Sequence, residues 1–191
     1  DDLSIDEASY RAHLRDVASV SGISAITTNA HSTEVASCTF DEQKRVLAIT
    51  QDEIGERLPI VNGIYADGSM EAQRLARMAD DGGASALLVF PPAIYTFGQR
   101  PDMAIEHFKR IAAVTNLPLI AFQYAPSGGQ GYPLPTLIKM FEAVPTLVAI
   151  KDWCGSAQLA DRQIRALQTR TPPVNVLSTH SAWLFSSLVL G

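Results

Sequence analysis

The chain has too few cysteines for a disulfide framework: there are two, Cys38 and Cys154, and neither belongs to a Cys-x-x-Cys or Cys/His spacing that would hold structural zinc. It also lacks a basic stripe. Lysine and arginine number 15 against 20 acidic residues, a formal net charge of −5, which argues against a nucleic-acid partner. Its longest apolar runs, Ala84 to Pro92 and Leu184 to Leu190, fall short of the ~20 residues that a membrane span needs. No basic start leads into an apolar signal segment, so a cytoplasmic location is expected. No strand runs into a Gly-x-Gly-x-x-Gly turn. The glycine-rich stretch Gly128-Gly129-Gln130-Gly131 lacks the Gly-Lys-Ser/Thr ending of a phosphate loop and reads as a flexible loop. Acidic residues are scattered, so no metal site is expected.

What is present is an alternation of two periods. Ser4 to Val20 reads as a helix, with Ser4 as cap and Glu7 completing a capping box. A second capping box, Thr39 with Glu42, opens a helix with an apolar stripe through Val46, Leu47, Ile49 and Ile54. Further helices start at Ser69, Pro101, Pro135, Ala157 and Ser181. Between them lie short apolar runs at Gly22 to Ile26, Pro59 to Gly63, Ala86 to Phe90, Leu119 to Tyr124, Leu147 to Lys151 and Val174 to Ser178. These runs are continuous rather than alternating, as expected for parallel strands covered on both faces. They recur about every 30 residues, so eight such units need about 240. The expected fold is α/β: a (β/α)8 TIM barrel forming one domain over 1–191, with strands 2 to 7 present and the first and last strands and C-terminal helices absent. An open doubly wound sheet is the alternative.

Chemistry in a barrel sits at the C-terminal strand ends. The run from Thr146 to Trp153 ends in Lys151, and simple alternation places Leu147, Ala149 and Lys151 on one face. Val148 and Ile150 then face the helices. Burial of a strand-end lysine favours the neutral amine that a Schiff-base nucleophile requires. The alternative is a lysine that reaches solvent or pairs with Asp152.

Ala149-Ile150-Lys151-Asp152, the loop from Val61 to Ser69, the segment from Asp81 to Pro92 and the stretch from Val174 to Gly191 together resemble the dihydrodipicolinate synthase and N-acetylneuraminate lyase superfamily. The resemblance covers essentially the whole chain in order. It implies a class I aldolase or lyase acting on pyruvate or a related 2-oxo acid with an aldehyde partner. It further implies Lys151 as the imine-forming amine, no cofactor, no metal and a homotetramer. The family's Gly-Thr-Thr-Gly-Glu loop matches Ala30 to Glu34. His31 then stands at the first threonine as a proton-transfer or carboxylate-binding group, and Ser32 and Thr33 hold the carboxylate. Counting from Leu117-Pro118, the family's fifth-strand tyrosine falls on Phe122, a cavity-lining residue. Tyr124, two residues on, shares its face and is the expected functional phenol. Pro92 and Ala93 replace the family's paired tyrosines, so an intersubunit tyrosine relay is expected to be lost. In the seventh strand His180 is expected to line the mouth, whereas Trp153, Trp183 and Phe185 read as mouth or helix packing rather than cofactor boxes. The altered loops favour a catabolic lyase. Authentic dihydrodipicolinate synthase, a non-catalytic carboxylate-binding barrel, and an isomerase holding phosphate at Gly128 to Gly131 remain as alternatives.

Overall fold

A computed structural model describes residues 3–190, so Asp1, Asp2 and Gly191, the ends of the expected domain, lie outside the described residues. The elements alternate throughout: α1 (Glu7–Ser19), β1 (Ile26–Thr28), α2 (Phe40–Ile54), β2 (Ile60–Ile64), α3 (Ser69–Asp81), β3 (Ala86–Val89), α4 (Pro101–Ala112), β4 (Leu119–Gln123), α5 (Leu134–Ala143), β5 (Leu147–Asp152), α6 (Ala157–Gln168), β6 (Asn175–Ser178) and α7 (Leu184–Leu190). All six strands pair in parallel, and their order in the sheet is their order in the chain. A doubly wound sheet would reverse that order at a switch point. Sequential order is the wall of a (β/α)8 barrel, here an arc of six strands.

Local chemistry explains most boundaries. Thr39 and Glu42 form the expected capping box, with Thr39 N–H donating to Glu42 Oε2 at 2.7 Å and Glu42 N–H to Thr39 Oγ1 at 3.3 Å. Ser156 caps α6 through the amide of Leu159. The cap of α1 is Asp6 rather than Ser4, because Asp6 Oδ1 reaches the amide of Ser9 at 3.0 Å. Strand β1 starts later than expected. Gly22 adopts φ 93°, which turns the chain, and pairing with the next strand begins only where Ile26 N–H meets Pro59 O.

Both sheet faces are covered, which accounts for the unbroken apolar runs. Leu87, Val89, Leu119, Ala121 and Ile150 pack outward against Leu47, Leu75, Phe108, Leu137 and Leu167 of the helices. A smaller cluster of Ala30, Leu88, Phe90 and Phe122 faces inward, with Tyr65 and Tyr124 against it. The expected alternation of β5 needs one correction. The register shifts between Leu119 and Ile120, so Leu119 pairs with Leu147 but Ile120 with Ala149. Val148 is the extra residue of a bulge and is 41% exposed instead of packed on helices. Leu147 therefore belongs to the outer core, while Ala149 and Lys151 keep the inner face.

One buried polar pair crosses the helical layer. His107 on α4 is 3% exposed, its Nδ1 lies 2.9 Å from Ser69 Oγ, and its Nε2 has no partner. Burial pushes its pKa down to about 4. In the unfolded chain the ring takes up a proton near pH 6.5. Stability is therefore complete above that value and falls as pH drops towards 4, by about 3 kcal/mol in all. Urea midpoints measured between pH 7.5 and 4.5 are expected to fall across this window, and to fall distinctly less in His107→Gln. Equal slopes would remove His107 as the cause.

Candidate active site

Lys151 ends β5 on the inner face, in register with Phe122, and its Nζ stands 5.4 Å from the centre of that ring. The side chain is half-buried, and desolvation lowers its pKa from the ordinary value near 10.5. Asp152 does not pair with it. One residue along the strand, it points to the opposite face, is buried, and accepts from Gln163 Nε2 at 3.0 Å and Cys154 Sγ at 3.4 Å. Gln163 also accepts from Gln123 Nε2, which ties β4, β5 and α6 together behind the lysine. The reading of Lys151 as paired with Asp152 therefore does not hold.

The loop after β1 brings the second group. Asn29 sits at φ 52°, a left-handed conformation that asparagine tolerates better than most residues. Its amide donates to Gln43 O at 2.9 Å and Asn62 Oδ1 at 2.8 Å, so the turn is pinned from below. His31 follows two residues later and lies flat on Phe90, ring centres 4.0 Å apart. Its Nδ1 is 2.7 Å from the Tyr124 hydroxyl, across 93 residues of chain. Burial, and secondarily the charge of Lys151, lower the pKa of His31. Burial, with a smaller contribution from Tyr65, raises Tyr124 to about 12. At neutral pH the phenol thus keeps its proton and lies within hydrogen-bond distance of a neutral imidazole, whose tautomer sets which of the two donates. Gly131 passes so close to Tyr124 that a β-carbon there would fall on the Tyr124 carbonyl oxygen, which leaves glycine as the fitting residue.

These groups surround two adjoining hollows. The first, about 250 Å³, is lined by Lys151, His31, Ser32, Phe90, Phe122 and Trp153 among others. The second, about 230 Å³, includes Tyr124, Trp153, Gln130 and His180. Trp153 stands between them, 48% exposed. A larger hollow of about 460 Å³ lies between α2 and α3, on the helix-covered side of the sheet and away from Lys151.

Of the residues expected from the sequence, Lys151, His31, Ser32 and Phe122 meet at the first hollow, and Tyr124 and His180 at the second. Thr33 is not among them. Its hydroxyl accepts from Ala30 N–H and donates to Ala30 O, both at 2.8 Å, so it holds the turn. Trp153 lines both hollows, the mouth position among the two expected for it, and Phe185 is 79% exposed. The amides of Gly128 and Gly129 donate to Ala125 O and Pro126 O, which leaves them unavailable to cradle a phosphate. Asn29, Phe90 and Thr179 were missed. Phe90, two residues after inward-facing Leu88, was open to an alternation argument. Asn29 and Thr179 act through side-chain hydrogen bonds to residues distant in the chain, which carry no sequence signal; Thr179 Oγ1 donates to Asp152 O at 2.6 Å. Among the described residues, no group of three His, Cys, Asp or Glu side chains is placed to hold a metal ion.

The electrostatic coupling of Lys151 and His31 is measurable. By NMR titration of the histidine ring, His31 is expected to titrate below the usual range near 6.5. In Lys151→Met its midpoint should rise, because a repelling cation is gone, yet stay low because burial is the larger cause. An unmoved midpoint would place the two groups too far apart to act together.

The Dihydrodipicolinate synthetase family matches this chain over residues 2–191. A 4-hydroxy-tetrahydrodipicolinate synthase of Helicobacter pylori (strain P12) is 29% identical over 164 residues, covering 81% of this chain and 53% of that protein. A probable 5-dehydro-4-deoxyglucarate dehydratase of Streptomyces coelicolor is 34% identical over 167 residues, covering 87% of this chain and 48% of that one. The chain thus spans about half the length of the curated relatives it matches. Among solved structures, a dihydrodipicolinate synthase from Acinetobacter baumannii complexed with pyruvate superposes with a TM-score of 0.86 at 25% identity, over 98% of this chain and 62% of that one.

Proposed function

The chain belongs to the dihydrodipicolinate synthetase family, and we propose that it works as a Schiff-base-forming lyase or aldolase on pyruvate or a related 2-oxo acid. The observation that carries the reading is Lys151: a half-buried amine with a lowered pKa, without a carboxylate partner among the described residues, sharing a hollow with His31, which is in turn 2.7 Å from the Tyr124 hydroxyl. The neutral amine attacks the keto carbon, and loss of water gives an imine that accepts electrons from the neighbouring carbon. Ser32 and the backbone of its turn hold the carboxylate, while Thr33 keeps that turn in shape. Tyr124 moves the proton as the adjacent bond forms or breaks, handing its own to His31.

Aldol cleavage, condensation and dehydration are all open to such an imine. Relatives named a synthase and a dehydratase support that range, and the pyruvate-bound structure supports the 2-oxo acid. The same proposal includes an aldehyde partner, a cytoplasmic location and a homo-oligomer, tetrameric by family resemblance. Exposed Ile94 and Phe97 after β3 offer apolar side chains for a subunit contact. Among the described residues no helix is long and apolar enough to cross a membrane.

Borohydride added to the intact protein with pyruvate is expected to fix a reduced adduct on Lys151, found by peptide mass spectrometry and missing in Lys151→Ala. No adduct with pyruvate, 2-oxobutyrate or keto-sugar acids would sink the reading. Tyr124→Phe should still form the adduct but turn over about 10²- to 10⁴-fold more slowly. Retention of full turnover would take the phenol out of the mechanism.

A further inference from the structure

The second hollow differs in character from the first. Three rings stand in its wall, with Tyr124 to Trp153 at 5.6 Å and Trp153 to His180 at 6.2 Å between centres, and small residues, Ala125, Gly128 and Gly155, fill the space between them. Trp153 and His180 are within 21° of parallel, whereas Tyr124 meets Trp153 edge-on at 62°. Among the described residues, no lysine, arginine, aspartate or glutamate lines this hollow, and Gln130 supplies its one side-chain amide. At the same end, His180 Nε2 and Trp183 Nε1 are buried without a hydrogen-bond partner. Lys151 lines the neighbouring hollow only, and its nitrogen is committed to the 2-oxo acid once the imine forms.

Such a wall discriminates between kinds of acceptor. A second carboxylate or a phosphate needs a cation that the hollow does not offer. A polyhydroxylated chain needs several donors and acceptors, and the side chains lining the hollow supply only the Tyr124 hydroxyl, the Gln130 amide and the His180 imidazole. A planar uncharged ring gains edge-to-face or offset contacts with Tyr124, Trp153 and His180. Resting on the lyase reading above, we propose that the second hollow takes the acceptor half of the substrate and that this half is an uncharged aryl group. The reaction then joins a 2-oxo acid to an aryl aldehyde or cleaves the resulting 4-aryl-4-hydroxy-2-oxo acid.

The steps balance without a co-reactant other than water. In cleavage, the Lys151 amine condenses with the keto group and releases water. Tyr124 oxygen takes the proton of the C4 hydroxyl as the Tyr124 proton passes to His31. The imine nitrogen having taken a proton from water, the C3–C4 bond breaks, its electron pair moves into the protonated imine to give a neutral enamine, and the aryl aldehyde departs. The proton then returns to C3, and water hydrolyses the imine to free the 2-oxo acid and Lys151. Tyr124 suits this step by position, since it lines the second hollow while bonded to His31 of the first.

The test uses intact protein and pyruvate with three aldehydes: benzaldehyde, glyceraldehyde and succinic semialdehyde. Product formation is read by mass spectrometry, with borohydride trapping by pyruvate alone in parallel. The expected result is a kcat/KM for benzaldehyde at least tenfold above the other two. His180→Ala should lower the benzaldehyde-to-glyceraldehyde ratio at least tenfold, and His180→Phe, which keeps a ring, should restore most of it. A pyruvate adduct together with preference for either aliphatic aldehyde would overturn the aryl assignment while leaving the lyase reading standing. An adduct with a ratio unmoved in His180→Ala would overturn it as well. Failure to trap pyruvate would sink the lyase reading itself.

Discussion

The side of the sheet that Lys151 faces depends on a single extra residue. Strand β5 leaves its first residue, Leu147, in the outer core, and strict two-residue alternation from there would turn Lys151 outward with it. The bulge at Val148 shifts the pairing so that Ala149, not Val148, meets Ile120. From that point inward and outward residues are set: Ile150 to the helices, Lys151 to the mouth, Asp152 back to the helices. An amine carried inward among rings loses solvation, and a carboxylate carried outward finds Gln163. The reactive state of the lysine and the buried anchor behind it are two results of one register.

The same logic organises the rest of the mouth. Phe122 is in register with Lys151, and Tyr124 lies two residues beyond it. Phe90 lies two residues beyond inward-facing Leu88 on the neighbouring strand and supports His31 from below. Behind them, Gln123 and Asp152 face the other way and share Gln163, so the groups that react are held by groups that cannot. Asn29 contributes from the next strand but one, bonding to Asn62 and holding the turn that presents His31.

Much of this was legible in the chain. Apolar runs spaced by capped helices marked the six strands, and the capping box at Thr39 and the start at Pro101 were correct to the residue. Lys151 stood out as a charge closing an apolar run. What the sequence hid has three physical sources. The bulge left no mark, because Leu147 and Val148 are both apolar, so Leu147 was assigned to the wrong face. Side-chain hydrogen bonds to nearby backbone compete with ligand binding, which is why Thr33 looked free but is bound to Ala30. Contacts across long separations, such as His31 with Tyr124, exist only once the sheet is built.

The placement of Trp153 has a consequence for optical measurements. The chain holds two tryptophans, and Trp153 and Trp183 flank the same histidine at the mouth, while none lies in the core between sheet and helices. Indole emission from this chain is therefore a local gauge. It registers the polarity and occupancy of the two hollows, and it can change while the helical layer stays folded. An unfolding curve followed by that signal alone describes the mouth, and agreement with circular dichroism becomes a statement about how tightly the mouth is coupled to the rest.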